Sequence, residues 1–589
     1  MRADAFHRHA VLVAIDCRFC EILTIIDGRT VESGSVVKCE VCVVGAGPAG
    51  LALAHEFLGQ NFRVCVLESG GFDHDAATQL LADSEVEEND DLYPNPRYAH
   101  ERRIGGTSAQ WDVIINGKYH MHATPLAPAD FRSRTWLAHS GWPIDYGVLE
   151  PYYARAQQVC GAGRFDYRPD AWSSGDSRPM IFQNGRLATR MVAASPQDLF
   201  QQTLPQALGA SRNVTLMTWS NATELESGPD AGTVTAVKVT CLNGNRFRIA
   251  ARIVILAQGA FEVPRLLLAS NATAKAGLGN AHDLVGRFLM DRQIVKAGTL
   301  FPALTDGLRR FGFYDMRNVL GSHIQAKLTL SERTLETERI LNSLVSFSPR
   351  ERFSLNQLAH RPYGRGTTFR SRAYRSVRTL AVTLRERRLP PDLFRHLGRI
   401  TGGLDDLLYI KLLRSPRFRR EFNFDSGGWF ELPDRDRRFA SLDVHQMCEQ
   451  SPDYGNRITL GDARDATGMP TTRVRFRWNA RDIDSVLRTQ DILKEELARA
   501  GVGDLRLQRR GRYPLVAQMT AHHPSGTTRM AADAGQGVVD PECRVHGVGN
   551  LFVASSSVFP TSGCAPPTLT ILALAIRVGD KVKHDLTRL

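Results

Sequence analysis

Two groups of residues in this chain of 589 have the types and spacing that chemistry needs. The first is Gly45-Ala46-Gly47-Pro48-Ala49-Gly50, which follows an apolar, β-branched run at 41–44 and precedes a helical stretch at 51–58. A strand, a glycine turn and a helix in that order form a unit that grips a pyrophosphate. Gly45 allows the tight turn, Gly47 lets the backbone approach the phosphates and Gly50 lets helix pack closely on strand, while the helix N-terminus supplies N–H donors and positive potential. A second strand at 63–67 ends at Glu68, 18 residues beyond Gly50, where a carboxylate accepts the hydroxyls of an adenosine ribose. This unit grips the adenosine diphosphate of FAD and of NAD alike. The second group is the adjacent pair His522 and His523. Imidazoles titrate near neutrality and can take a proton from a substrate, although a pair of structural histidines in a polar cluster has the same sequence.

A third pattern resembles a metal site and is read differently. Cys17 and Cys20, followed by Cys39 and Cys42, have zinc-ribbon spacing. However, 38–44 reads as a strand, on which residues three apart project to opposite faces and cannot chelate one ion together. Buried structural cysteines are expected, Cys65 on the next strand included, and no metal.

The elements that must position these groups belong to a large chain. Its length exceeds the roughly 100 to 200 residues of one domain, so two domains are expected. The composition, 43% hydrophobic and 23% charged, is that of an ordinary globular protein. Apolar runs such as 568–576 fall short of the roughly 18 to 20 residues that cross a bilayer, so no integral membrane segment is expected. The first 15 residues hold one brief apolar stretch, interrupted by Asp16 and followed by no small-residue cleavage site, and a cytoplasmic location is the expectation. The net charge of +12 is concentrated: 361–420 carries 16 Lys/Arg against four Asp/Glu, an excess as large as that of the whole chain. Regularly spaced leucines there (Leu384, Leu389, Leu393, Leu397, Leu404, Leu408, Leu412) suggest amphipathic helices with basic outer faces. Such an insertion is either a solvated surface or a docking face for a partner, a membrane, an anionic substrate or a second copy. No nucleic-acid-binding module accompanies the charge.

Further blocks resemble the glucose-methanol-choline (GMC) oxidoreductases. They are Arg103-Ile104-Gly105-Gly106-Thr107-Ser108 with Trp111; Ser140-Gly141-Trp142-Pro143-Ile144 with Pro151-Tyr152-Tyr153; the stretch 253–268; and Asn456-Arg457-Ile458-Thr459-Leu460. The most specific is His523-Pro524-Ser525-Gly526-Thr527-Thr528-Arg529-Met530, followed by the blocks at 537–548 and 551–561 and by Pro567-Thr568-Leu569-Thr570. Within the family the wording is similar to the bacterial branch that resembles pyranose oxidases and sugar dehydrogenases.

The resemblance implies an α/β fold: a Rossmann-like FAD-binding domain with a discontinuous α+β substrate (cap) domain on an antiparallel sheet. The FAD-binding domain would comprise 36–125, 205–295 and 520–589. The cap would comprise 126–204 and 296–519, with the basic helical insertion at 350–425, and 1–35 would form an N-terminal extension. It also implies FAD rather than a nicotinamide, with contacts from Arg103, Gly105, Gly106, Thr107, Ser108, Trp111, Asp112, Ala222, Ala257, Gly259 and Ser555. Some relatives attach FAD through a histidine just before the tryptophan; here that residue is Gln110, so noncovalent binding is expected. In the family pattern the first histidine of HxxGT is the base, which is His523, with His522 its neighbour and competitor. The reaction implied is oxidation of an alcohol of a sugar, glycoside or polyol, with the proton going to histidine and the hydride to flavin N5. Pro567, Thr568 and Leu569 begin a helix whose N-terminal dipole would face flavin N1 and O2.

Two departures stand out. Relatives have Asn or His before this PTLT motif to hold the substrate hydroxyl, where this chain has Pro566, which offers no donor. Asp112 stands where relatives often have a small residue near flavin N5. A non-redox lyase of the same fold, or a flavoprotein subunit that docks to a partner, are the alternative functions.

Overall fold

The computed structural model of the chain describes residues 24–587 apart from 88–92, 112, 116–117, 176, 197, 304–306, 352–371, 386–387, 391, 405–406, 408–427 and 519. Cys17, Cys20, Asp112, Leu408, Leu412 and much of the basic insertion therefore lie outside the described residues.

The β-branched run before the glycine turn is the end of β2 (Val36–Val44), which lies inside the first sheet. On one side stand β3 (Val64–Leu67), β8 (Val214–Thr218) and β1 (Ile25–Asp27). On the other stand β11 (Arg246–Leu256), β10 (Val234–Thr240) and β9 (Asn221–Ser227), and β22 (Leu551–Val553) also pairs with β11. The pairings among β1, β8, β3, β2, β11 and β22 are all parallel, and such strands are buried on both faces. Hence β3 reads Val-Cys-Val-Leu with every residue buried. Helix α1 (Pro48–Glu56) follows β2 with proline in its first turn, where no N–H is required. Cys39, Cys42 and Cys65 are buried, free thiols, and Cys42 stands opposite Cys65 across the β2–β3 pair.

The second sheet is antiparallel. Its order is β20 (Arg509–Arg510), β21 (Tyr513–Gln518), β12 (Ile294–Pro302), β16 (Phe439–Cys448), β15 (Ser343–Glu351), β14 (Ser322–Leu330), β7 (Leu187–Pro196), β6 (Lys118–Ala123) and β5 (Val113–Ile115). Two short strands, β13 (Arg317–Val319) and β19 (Gly503–Leu507), pair with β14 and β12. A small third sheet joins β4 (Ser84–Val86) to β18 (Pro470–Arg475) and β17 (Arg457–Arg464). Side-chain alternation gives the second sheet two different faces. Ile324, Ala326, Leu328, Val345, Phe347, Leu442 and Val444 form a core with Ile492, Leu493 and Leu497 of a later helix. The intervening residues of the same strands are more polar, Gln325, Lys327, Ser346, Asp443 and His445 among them.

Helices complete the layers: α2 (Tyr146–Val159), α3 (Gly259–Ala269), α4 (Arg372–Arg385), α5 (Leu393–Thr401), α6 (Ala480–Arg499) and α7 (Thr568–Thr587). Helix α6 carries the core residues Ile492 to Leu497 and starts at a capping box of Asn479 and Asp482. Helix α7 packs on α1 and α2, with Lys583 and Arg155 both paired to Glu56. In the basic insertion α4 and α5 pack on each other, and α5 buries none of its residues.

Two assignments from sequence differ from what is found. Part of the expected N-terminal extension forms β1, which pairs in parallel with β8 from Ile25–Leu216 to Asp27–Thr218. Residues 113–123, expected with the nucleotide-binding part, form a hairpin on the antiparallel sheet instead, where β6 pairs with β7. Strand membership is decided by pairing and burial between segments distant in sequence, which local pattern does not carry.

One buried ion pair ties the layers together. Arg134, in the segment before α2, forms a two-pronged contact with Glu449 just after β16; Nη1 donates to Oε2 at 3.0 Å, and the side chains are 5% and 1% exposed. Burial works against the Glu449 charge, yet Arg134 holds it below its usual range, and Oε2 also accepts the N–H of Asn342 at 2.9 Å. Replacing Arg134 by Met leaves that carboxylate buried without its cation. Denaturant unfolding is expected to show a loss of about 3 to 5 kcal/mol, and R134M combined with E449M is expected to recover part of it.

Candidate active site

Strand register sets the site. Val44 lies opposite Leu67 and Leu256, Leu67 opposite Met217, and Leu256 opposite Val553. Five segments therefore leave the parallel sheet at one level, and ligands of such sheets bind outside the carboxyl ends of the strands. There Gly45, Glu68, Ser220, Ala257 and Ser555 line one cavity of about 500 Å³.

The glycines act by shape. Gly45 has φ +103°, a left-handed conformation that side chains resist. A Cβ on Gly50 would stand 1.8 Å from the Gly45 carbonyl oxygen, so only glycine lets α1 approach the turn this closely, while Gly47 has open space at that position. Glu68 is buried; its Oε2 accepts the N–H of Ala46 at 2.9 Å and its Oε1 that of Gly70 at 3.1 Å. The Gly-Gly-Thr-Ser segment lies against the turn, because Gly105 N–H donates to the Ala46 carbonyl at 2.8 Å. A Cβ on Gly106 would meet the Gly47 Cα at 3.2 Å.

The histidine segment is anchored to the start of β12. The buried Asp291 carboxylate accepts four hydrogen bonds: Oδ1 from the N–H of Arg292 at 2.7 Å and of His523 at 3.0 Å, Oδ2 from the Tyr93 hydroxyl at 2.9 Å and from Thr520. Burial nonetheless pushes its pKa upward. His522 is left-handed at φ +58°, a strain of about 1 to 3 kcal/mol of the kind found at functional sites. Its Nδ1 lies 3.1 Å from the carbonyl of Ala99, which can only accept, so Nδ1 carries the proton.

His523 is half-buried at the cavity wall, and desolvation first, then the charge of Arg292, His522, His122 and Lys327, hold its pKa well below the ordinary imidazole range. It is therefore a free base at neutral pH. Arg292 is 1% exposed. Its guanidinium donates to the carbonyls of Gly563, at 3.2 Å, and Ser562, and Nη1 lies 3.5 Å from His523 Nδ1. That distance is at the outer limit for a hydrogen bond, so the contribution of Arg292 is charge.

The cavity brings together most of the residues singled out from sequence. Gly45, Gly47, Pro48, Ala49, Glu68, Gly106, Thr107, Ser108, Trp111, Ala222, Ala257, Gly259, Ser555, Pro567, Thr568, His522 and His523 all line it. Gly50, Arg103, Gly105 and Leu569 do not. Gly50 and Gly105 are taken up by backbone packing, the Arg103 carbonyl accepts from Gly106 at 2.7 Å, and Leu569 is fully buried in α7. Gln110 lines the cavity and donates from Nε2 to Glu101 at 2.8 Å.

Sequence reasoning missed His122, Ile294 and Met447, which line the cavity from the second sheet, and Arg292 and Asp291 behind the histidines. His122 lies on a strand without a motif. Asp291-Arg292 had one signal, a charged pair between apolar stretches. The donor set fits a flavin dinucleotide: open backbone at Gly47, a carboxylate at Glu68, a hydroxyl at Thr107, and a helix N-terminus at Thr568.

Comparisons with known proteins agree with this arrangement. Models of the GMC oxidoreductase family match residues 188–294 and 452–575. The C-glycoside 3-oxidase of Arthrobacter globiformis is 38% identical over 145 residues, which is 24% of this chain and 27% of that enzyme, so the chain matches about a quarter of that relative's length. The 6'''-hydroxyparomomycin C oxidase of Streptomyces lividus is 23% identical over 93% of this chain and 92% of its own. A crystal structure of formate oxidase has a TM-score of 0.50 at 17% identity, covering 94% of this chain and 99% of that one, which bears on the fold alone. Matches to both family segments, relatives that run nearly end to end, and a glycine turn opening on the same cavity as the histidine pair identify GMC oxidoreductase N- and C-terminal domains in this chain.

Proposed function

We propose that the protein oxidises an alcohol carbon of a sugar, glycoside or polyol-like substrate with noncovalently bound FAD, His523 taking the hydroxyl proton. The observation that carries this reading is the shared cavity, lined by the pyrophosphate turn and Glu68 and also by a half-buried histidine kept uncharged. Gly47, Pro48 and Ala49 with Glu68 would hold the adenosine diphosphate, and Thr107, Ser108 and the start of α7 the flavin end. When bound, the flavin supplies the acceptor for a hydride from carbon. Gln110, an amide, stands where a covalent link would need a histidine, which supports noncovalent binding.

His523 works from a fixed position. Its backbone is held by Asp291, and the unprotonated nitrogen of its neutral ring accepts the hydroxyl proton. The substrate class is supported by the names of relatives, which include a C-glycoside 3-oxidase, a fructose dehydrogenase large subunit and an aminoglycoside-named oxidase.

Anaerobic mixing of the flavin-loaded protein with D-glucose, D-fructose, paromamine and simple alcohols is expected to bleach the flavin band with at least one of them. Turnover with the flavin remaining yellow throughout would support the lyase alternative instead. His523→Ala is expected to slow flavin reduction by about 10² to 10⁴-fold while flavin content stays unchanged. A pH series tests the electrostatics. Arg292 opposes the charged form of His523, so R292M raises the histidine pKa, and the acid limb of kcat/KM is expected to move to higher pH, whereas R292K keeps it near its original position.

A further inference from the structure

In the oxidation proposed above, the substrate oxygen gives up its proton and gains negative charge, and a donor must hold it. The position before the Pro-Thr-Leu-Thr helix start is Pro566, which lines the cavity and has neither an N–H nor a polar side chain. The missing donor has to come from elsewhere.

We propose that His122 of β6 is that donor, a second catalytic residue whose Nε2–H holds the substrate oxygen while His523 takes its proton. Four observations converge on it. His122 lines the same cavity as His523 and Pro566. Its Nε2 is buried and meets no hydrogen-bond partner among the described residues, and a buried polar atom left unpaired is a costly feature that a ligand would explain. A charge on its ring would oppose one on His523, which places the two within electrostatic reach of each other. It enters from the antiparallel sheet, opposite the carboxyl ends of the parallel strands, so an oxygen between the two rings would be gripped from both layers.

The chemistry balances without a further reactant. The hydroxyl proton would pass to the His523 ring, flavin when bound would supply the acceptor for the hydride, the carbonyl double bond would form, and His122 would keep its own proton throughout. A neutral ring suits that task. Burial first, then the nearby Lys327 ammonium, hold the His122 pKa well below the ordinary value, so the ring stays an uncharged donor. His522 is the competitor in the same cavity, but its Nδ1–H is committed to the Ala99 carbonyl.

This assignment rests on the oxidation reading, and one experiment separates the two. Flavin reduction is followed by anaerobic stopped flow with whichever alcohol of the panel bleaches the wild-type protein fastest. No bleaching of the wild type by any alcohol refutes the oxidation reading itself. Given wild-type bleaching, His122→Ala is expected to lower the limiting reduction rate by about 10² to 10³-fold with little change in the half-saturating alcohol concentration. His122→Asn, which keeps an N–H donor, is expected to recover at least tenfold of that loss. The pH dependence should retain the limb that belongs to His523, and the visible flavin spectrum should show full occupancy. Reduction of H122A within twofold of wild type, a loss confined to half-saturation, or equal rates for the Ala and Asn variants overturns the assignment. Should H122A fail to hold flavin, H122N and H122Q decide: both within tenfold of wild type sustain it, and both slowed as far as H523A overturn it.

Discussion

The structure depends on the register of its parallel strands. Because Val44, Leu67, Leu256 and Val553 stand side by side, four segments separated by up to several hundred residues turn away from the sheet at one level. Shifting one of them would reverse which faces its side chains occupy and carry its turn out of line. Gly45 and Gly50 make this arrangement steeper, since the Gly45 oxygen occupies the space where a Gly50 Cβ would be. The close fit of helix, turn and neighbouring strand then leaves a crevice lined by the open backbone at Gly47 and by the Glu68 carboxylate.

A second layer has to be held over that crevice, and polar groups rather than apolar packing do much of the holding. Asp291 joins the histidine segment, Tyr93 and the approach to β12 through four hydrogen bonds. Arg134 and Glu449 do the same between the segment before α2 and the end of β16. Buried charges of this kind cost desolvation energy and add little net stability over an apolar replacement. They are directional, however, and fix where the histidines stand. The apolar face of the antiparallel sheet is spent on α6, which leaves the remaining strand positions available for polar side chains.

How much of this was legible in the sequence follows from how local each feature is. The strand, glycine turn and helix at 36–56 could be read because neighbouring residues encode them, and Glu68 because it follows the next strand directly. The helix start at Thr568 had the same clarity through Pro567 and the apolar run behind it. His122 had no such signal and Arg292 only a charged pair, since His122 reaches the cavity, and Arg292 its place behind it, through pairings such as His122–Ala194 and Ile294–Met447 that join distant segments. The same reason explains β1, a three-residue strand whose place is decided by β8, and the hairpin at 113–123, whose sheet is decided by β7. Gly50, Gly105 and Leu569 were correctly distinctive as residues, but packing rather than cavity lining uses them.

Placing the second donor on the antiparallel sheet alters what the enzyme must keep rigid. A donor at the position of Pro566 would belong to the same C-terminal stretch as His523, whose following residues are tied to 556–558 by backbone hydrogen bonds. With His122 in that role, the oxygen is held between two layers, so a relative shift of about 1 Å between them can cost on the order of 10²-fold in rate. The buried network around Asp291 and Glu449 lies at that seam: Glu449 acts on the Arg292 charge, and Arg292 on His523. A chain that gives up the local partner thus needs a stiff interface, which is where this one has concentrated its buried charges.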